Sequence, residues 1–151
     1  MDNILGDEFK DFLIALNDCN VEYILVGGYA VIFHGHTRTT GDLDIWVNKS
    51  KENYKKLIAA FKQFGMPAFD MTEENFLNNP TFDVFTFGRP PVSIDILTNV
   101  KGLQFEESIL KAKDFSSGGI IFKLIDYRDL IQAKKAAARP KDIDDLNNLE
   151  K

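Results

Sequence analysis

One cysteine, two histidines and no long apolar run remove several function classes at once. Cys19 has no second thiol to meet, so no internal disulfide holds the chain. On the apolar face of the first expected helix it reads as a small core residue rather than a nucleophile. His34 and His36 have neither a third histidine nor a nearby cysteine with which to build a zinc site. His34 is expected at a helix end and His36 in a loop. No segment reaches the ~20 apolar residues that span a bilayer, and Asp2, Asp7 and Glu8 spoil any basic leader. The expectation is a cytoplasmic protein without a membrane partner. Basic charge is also short: 18 Lys and Arg against 23 Asp and Glu leave a net charge of −5. The molecule as a whole therefore does not attract nucleic acid. Lys123, Arg128, Lys134, Lys135, Arg139 and Lys141 still concentrate positive charge near the C-terminus, as a phosphate-binding patch or a solvated helix face.

Apolar bulk, by contrast, is ample. Hydrophobic residues make up 44% of the 151 positions and thirteen are Phe. That is enough for one compact domain, residues 1–151, with a working core. No repeat, linker or low-complexity segment divides it. Residues 8–19 place Phe9, Phe12, Leu13, Leu16 and Cys19 on one helical face. Strands are expected at 22–26 and 42–48, with a short helix from Gly28 to Phe33 between them. Ser50 can cap a helix that reaches Phe64 and stops at Gly65 and Pro67. Residues 82–88 and 92–98 form a hairpin turning at Gly88-Arg89-Pro90-Pro91. A turn over Ser116 to Gly119 precedes a strand at 120–125. Asp126 caps a helix to about Ala138, and Pro140 opens a last one. The fold class is α+β: a small mixed β-sheet with helices packed on it, the C-terminal helices of 126–150 among them.

The chemistry concentrates between Tyr23 and Val47. An apolar strand ends in Gly27-Gly28, where backbone can approach phosphate closely. Asp42 and Asp44 then sit at i and i+2 of a strand and share a face. Two carboxylates side by side suit a hard divalent cation. In Val92-Ser93-Ile94-Asp95-Ile96-Leu97 a third acid lies inside a β-branched strand, a costly place for a charge without a partner. Should the two strands be neighbours, Asp42, Asp44 and Asp95 form a cluster able to hold two metal ions for phosphoryl transfer. The same spacing in Asp142 and Asp144 falls in a helix and carries no such implication.

Gly27-Gly28, thirteen intervening residues, Asp42-Leu43-Asp44 and the later Asp95 resemble the signature of the nucleotidyltransferase (polymerase β-like) superfamily. His36-Thr37-Arg38-Thr39-Thr40 before the acids narrows the likeness to its minimal bacterial branch. That branch includes abortive-infection toxin-type and lincosamide-type antibiotic nucleotidyltransferases. The Gly-Ser-x-x-Arg-Gly turn of small antitoxin-type members is missing. Asp129-Leu130 through Lys134, Arg139-Pro140-Lys141-Asp142 and Asp145-Leu146 resemble the toxin-type ending. The likeness spans roughly residues 21 to 149.

The resemblance implies transfer of NMP from an NTP to an acceptor hydroxyl, with pyrophosphate released. Asp42, Asp44 and Asp95 would hold two Mg²⁺ and act catalytically, Asp95 also taking the hydroxyl proton. The triphosphate would lie against Gly27 and Gly28, near Arg38, whose planar cation can grip phosphate bidentately. Lys134 sits centred on the apolar stripe of Leu130, Ile131, Ala137 and Ala138. It would reach the triphosphate, pair with Asp142, itself among Ile143, Leu146 and Leu149, or do both with Asp142 orienting it. Trp46 shares the acidic face, to stack on a base or fill the core. The acceptor stays open between a tRNA 3′ end, a protein side chain and a small antibiotic. The alternatives are a catalytically idle nucleotidyltransferase-like domain in a binding or toxin–antitoxin role, and a structural α/β protein with accidental acids.

Overall fold

The computed structural model describes residues 4–89 and 92–150, so the expected Pro90-Pro91 turn lies outside the described residues. The chain runs α1 (Asp7–Asp18), β1 (Tyr23–Val26), α2 (Gly27–Phe33), β2 (Asp42–Val47), α3 (Lys51–Phe64), α4 (Glu73–Leu77) and β3 (Val84–Arg89). It continues through β4 (Val92–Leu97), α5 (Phe105–Lys111), β5 (Lys113–Ser117), β6 (Ile120–Leu124), α6 (Tyr127–Ala137) and α7 (Pro140–Leu149). The strands make one six-stranded sheet in the order β3-β4-β2-β1-β6-β5. β2 pairs parallel with β4, and β1 parallel with β6, while the remaining pairs are antiparallel. This is the mixed sheet of an α+β fold.

Side-chain alternation divides the sheet into an apolar and an acidic face. Leu43, Ile45, Phe85, Phe87, Ile94 and Ile96 are all buried. α1, α3 and α4 cover that side through aromatic contacts. Phe61 meets Phe87 edge-on at 4.9 Å and Phe12 at 5.7 Å, and Phe76 stacks on Phe85 at 6.5 Å. Such pairs add about 0.5–1.5 kcal/mol each beyond their buried area. The other side carries Asp42, Asp44 and Trp46 on β2. Trp46 is 1% exposed and packs edge-on against Phe105 of α5 at 5.3 Å, so it fills the core and does not await a base. α5 thus closes one end of the acidic face and leaves the Asp end open.

Caps fall where local chemistry places them. The Ser50 and Asp126 side chains accept from the backbone N–H of Asn53 and Arg128, starting α3 and α6. Pro140 opens α7. Three elements carry no sequence signal strong enough to read. α4 and α5, five and seven residues long, are too short to show a helical period. β5, Lys-Asp-Phe-Ser-Ser, has a single apolar residue because it is an edge strand. It meets β6 through Gly118-Gly119, both at positive φ, in a two-residue hairpin.

The face of α7 differs from expectation. Ile143 is 50% exposed, whereas Asp142 is 0% and Asp145 3% exposed. Here the acids face inward, because three cations from α6 and the flanking loops meet them.

Candidate active site

The parallel register of β2 and β4 sets Asp44 directly opposite Asp95, and Asp42 opposite Ser93. All three acids line one cleft. Burial pushes the Asp44 carboxyl up to about 7. The charge of Asp95, its hydrogen bond to protonated Asp44 and the charge of Asp42 add to the rise, and Lys141 opposes it. Two carboxylates this close cannot both ionise cheaply. Asp95 Oδ1 is buried without a hydrogen-bond partner, and Asp42 Oδ1 accepts from Ser93 Oγ at 2.7 Å.

These groups fit a hard divalent cation. Among the described residues, no three His, Cys, Asp or Glu side chains close around one point. Magnesium does not require that, since one or two carboxylates suffice when water and substrate phosphates complete its shell. An orphaned carboxylate oxygen beside an acid whose ionisation is opposed by burial and like charge marks a place short of positive charge.

The glycines serve the acids directly. Gly27 has φ +72°, and a Cβ there would overlap the Asp44 carboxylate, so only glycine lets β1 turn into α2 beside it. A Cβ at Gly28 would stand 2.6 Å from Thr40 Oγ1 and 3.5 Å from Arg38 Cζ. Gly27 lines the cleft. Gly28 is buried beneath Thr40 and Arg38 and does not.

The cleft has a volume of about 310 Å³ and two unlike walls. Asp42, Asp44 and Asp95 of the sheet, with Val84, Leu97, Asn99, Val100 and Lys101 beside them, form one, and Lys134, Arg139, Lys141 and Asp142 the other. Lys134, 8% exposed, is tied to Asp142 at 3.2 Å and Asp145 at 3.0 Å. The expected ion pair with Asp142 is formed, and Lys134 lines the cleft as well. Arg139 Nε donates to Asp142 at 2.7 Å. Burial would raise the Asp142 carboxyl, but the Arg139 hydrogen bonds and the Lys134 charge outweigh it and hold it below its ordinary value. Arg38 donates to Asp145 at 2.8 Å and lines a neighbouring hollow with Tyr29, Thr39 and Thr40 rather than the acidic cleft.

Among the seven expected site residues, Asp42, Asp44, Asp95, Gly27 and Lys134 thus converge on the cleft, while Gly28 and Arg38 stand behind it. Sequence reasoning gave Ser93 and the buried Asp145 no part in the site and named Lys141 only within a basic patch. Ser93 had a signal, lying two residues before Asp95 on the same face. Asp145 had none, because its partners come from three separate segments.

Two solved structures share the fold at low identity. The antibiotic-resistance factor ANT(2'')-Ia is 16% identical with a TM-score of 0.57, covering 99% of this chain and 84% of its own. The lincosamide antibiotic adenylyltransferase LnuA, lincomycin-bound, is also 16% identical with a TM-score of 0.57, covering 98% of each chain. No curated protein sequence matches this chain. A family model does, over residues 7–151, and with the acids and glycine turn set as described the chain belongs to that family, described as nucleotidyl transferase of unknown function (DUF2204).

Proposed function

We propose that this protein transfers NMP from an NTP to an acceptor hydroxyl, dependent on Mg²⁺ bound by Asp42, Asp44 and Asp95. The observation that carries the reading is the Asp44–Asp95 pair, opposed across two parallel strands beside Gly27 and open to the cleft. Divalent cations at these acids would neutralise the phosphate oxygens and activate the acceptor hydroxyl. Asp44, nearest the turn, faces the nucleotide, and Gly27 lets backbone rather than side chain meet the phosphates. The acceptor oxygen attacks the α-phosphorus, the bond to the bridging oxygen of the β-phosphate breaks, and pyrophosphate carries away that electron pair. Asp95, with a carboxylate oxygen unengaged, accepts the hydroxyl proton. Ser93 orients Asp42 through the hydrogen bond at 2.7 Å.

LnuA is an antibiotic adenylyltransferase, and that likeness makes a small-molecule hydroxyl the first acceptor to test, ahead of an RNA end or a protein. The test incubates purified protein with Mg²⁺ and each α-labelled NTP, offered cell RNA, lysate protein or lincosamide and aminoglycoside acceptors. Label should pass to one acceptor class with stoichiometric pyrophosphate, and Asp44→Asn should abolish transfer without lowering Tm. Equal turnover by Asp44→Asn and wild type would overturn the assignment.

A further inference from the structure

Four cations stand at or beside the acidic cleft on its helical side, and three of them are already engaged. Lys134 is buried between Asp142 and Asp145. Arg139 is held by Asp142 through both Nε and Nη2, and Arg38 by Asp145. Together these three neutralise two buried carboxylates, and Lys134, the one shared by both acids, is itself buried, so drawing it away would leave its own charge and both acids short of a partner. Lys141 is the exception. It lines the cleft, is exposed, and makes no ion pair or side-chain hydrogen bond among the described residues.

Its place on the helix explains the difference. Lys141 follows Pro140 in the first turn of α7, next to Asp142, whose side chain turns inward. The ammonium is therefore carried on a base clamped from below, on a flexible stem at the cleft mouth. Lys101 across the cleft also lacks an ion pair among the described residues, but it stands in the turn after β4, whereas Lys141 is carried on a helix fixed by buried ion pairs.

We infer that Lys141 is the residue that binds the triphosphate tail of the nucleotide and neutralises the departing pyrophosphate, while Lys134 only holds α7 in place. This rests on the nucleotidyl-transfer reading above. A point charge on a flexible stem suits a leaving group whose negative charge grows as the bond breaks. Lys134 cannot follow such a charge without abandoning Asp142 and Asp145.

The test measures binding and melting as well as turnover. Affinity for each of the four α,β-methylene nucleoside triphosphates, and for the matching monophosphates, is compared in wild type, Lys141→Met, Lys141→Arg and Lys101→Met with Mg²⁺. Lys141→Met should weaken the preferred triphosphate tenfold or more, leave monophosphate affinity within twofold and leave Tm unchanged. Lys141→Arg should recover most of the loss, and Lys101→Met should bind like wild type. A Lys141→Met protein binding triphosphate within twofold of wild type would overturn the inference, as would a loss found with Lys101→Met instead. Failure of wild type to bind any triphosphate would sink the nucleotidyl-transfer reading itself.

Discussion

The two walls of the cleft are built by opposite strategies. The acids stand on β2 and β4, central strands whose other face is packed with Phe, Leu and Ile, so strand register alone aims them. The cations stand on α6, α7 and the loops beside them, and α7 offers the protein two buried aspartates rather than an apolar stripe. The acidic wall is a charged patch on an apolar scaffold. The basic wall is the scaffold itself, made of ion pairs. Charge is therefore spare in one wall, where Asp44 and Asp95 crowd each other, and spent in the other. Substitutions should separate the two: the acids are expected to govern chemistry, the pairs stability.

The largest effect should follow Asp95→Asn. Removing the unengaged carboxylate is expected to lower the transfer rate by about 10³-fold or more, measured by single-turnover label transfer, with Tm unchanged or raised because Asp44 loses a like-charged neighbour. A loss of Tm instead would make Asp95 part of the scaffold and dissolve the contrast.

Next comes Lys134→Met. It strips Asp142 and Asp145 of their shared partner but leaves each an arginine, so the cost should be about 2–3 kcal/mol, below the roughly 3–5 of a fully broken buried pair. In a chain of this size that is a Tm drop on the order of 10 °C. Urea unfolding checks it, and an unchanged midpoint would show that α7 is held some other way.

The two walls should also answer pH with opposite signs. In metal-free protein the Asp44 carboxyl rises from 3.8 to about 7 on folding. Below the lower value it is protonated in both states, so its stabilising contribution is fully present there. As pH rises from 3.8 through about 7 that contribution is lost, because only the unfolded chain ionises freely. Asp142 is held below its ordinary value, so its contribution is present above 3.8 and fades as pH falls further. With chelator present, Asp44→Asn should recover about 1–3 kcal/mol at pH 8 and flatten the curve on its alkaline side. Asp142→Asn should flatten the acid side. A wild-type curve level from pH 4 to 8 would remove the strain assigned to the acid pair.

The smallest effect is Ser93→Ala. Losing the hydrogen bond to Asp42 should cost about 1 kcal/mol or less in stability. Transfer should fall several-fold through Asp42 losing its orientation. Equal kinetics in the variant would leave the Ser93 contact structural.

What could be read beforehand follows interaction range. Gly27, Asp42 and Asp44 announce themselves because a glycine needed for a positive φ and two same-face acids are patterns within a few residues. Asp95 stands out because β-branched neighbours make its charge anomalous. The Ser50 and Asp126 caps are legible for the same reason, each being one side chain meeting a backbone N–H nearby. Gly28 and Arg38 carry the same local signals but lie behind the cleft, since Thr40 folds over the one and Asp145 captures the other.

The amino-acid order thus determined the alternation that aims the acids, the turn that admits Asp44 beside the backbone, and the mixed set of strands and helices. Tertiary structure alone decided that Asp44 faces Asp95, that Trp46 is sealed by Phe105, and that Lys134 is spent while Lys141 is free. Those outcomes depend on partners up to 107 residues apart, as for Arg38 and Asp145. A pairing energy between distant charges exists only once the sheet has brought them within a few ångströms.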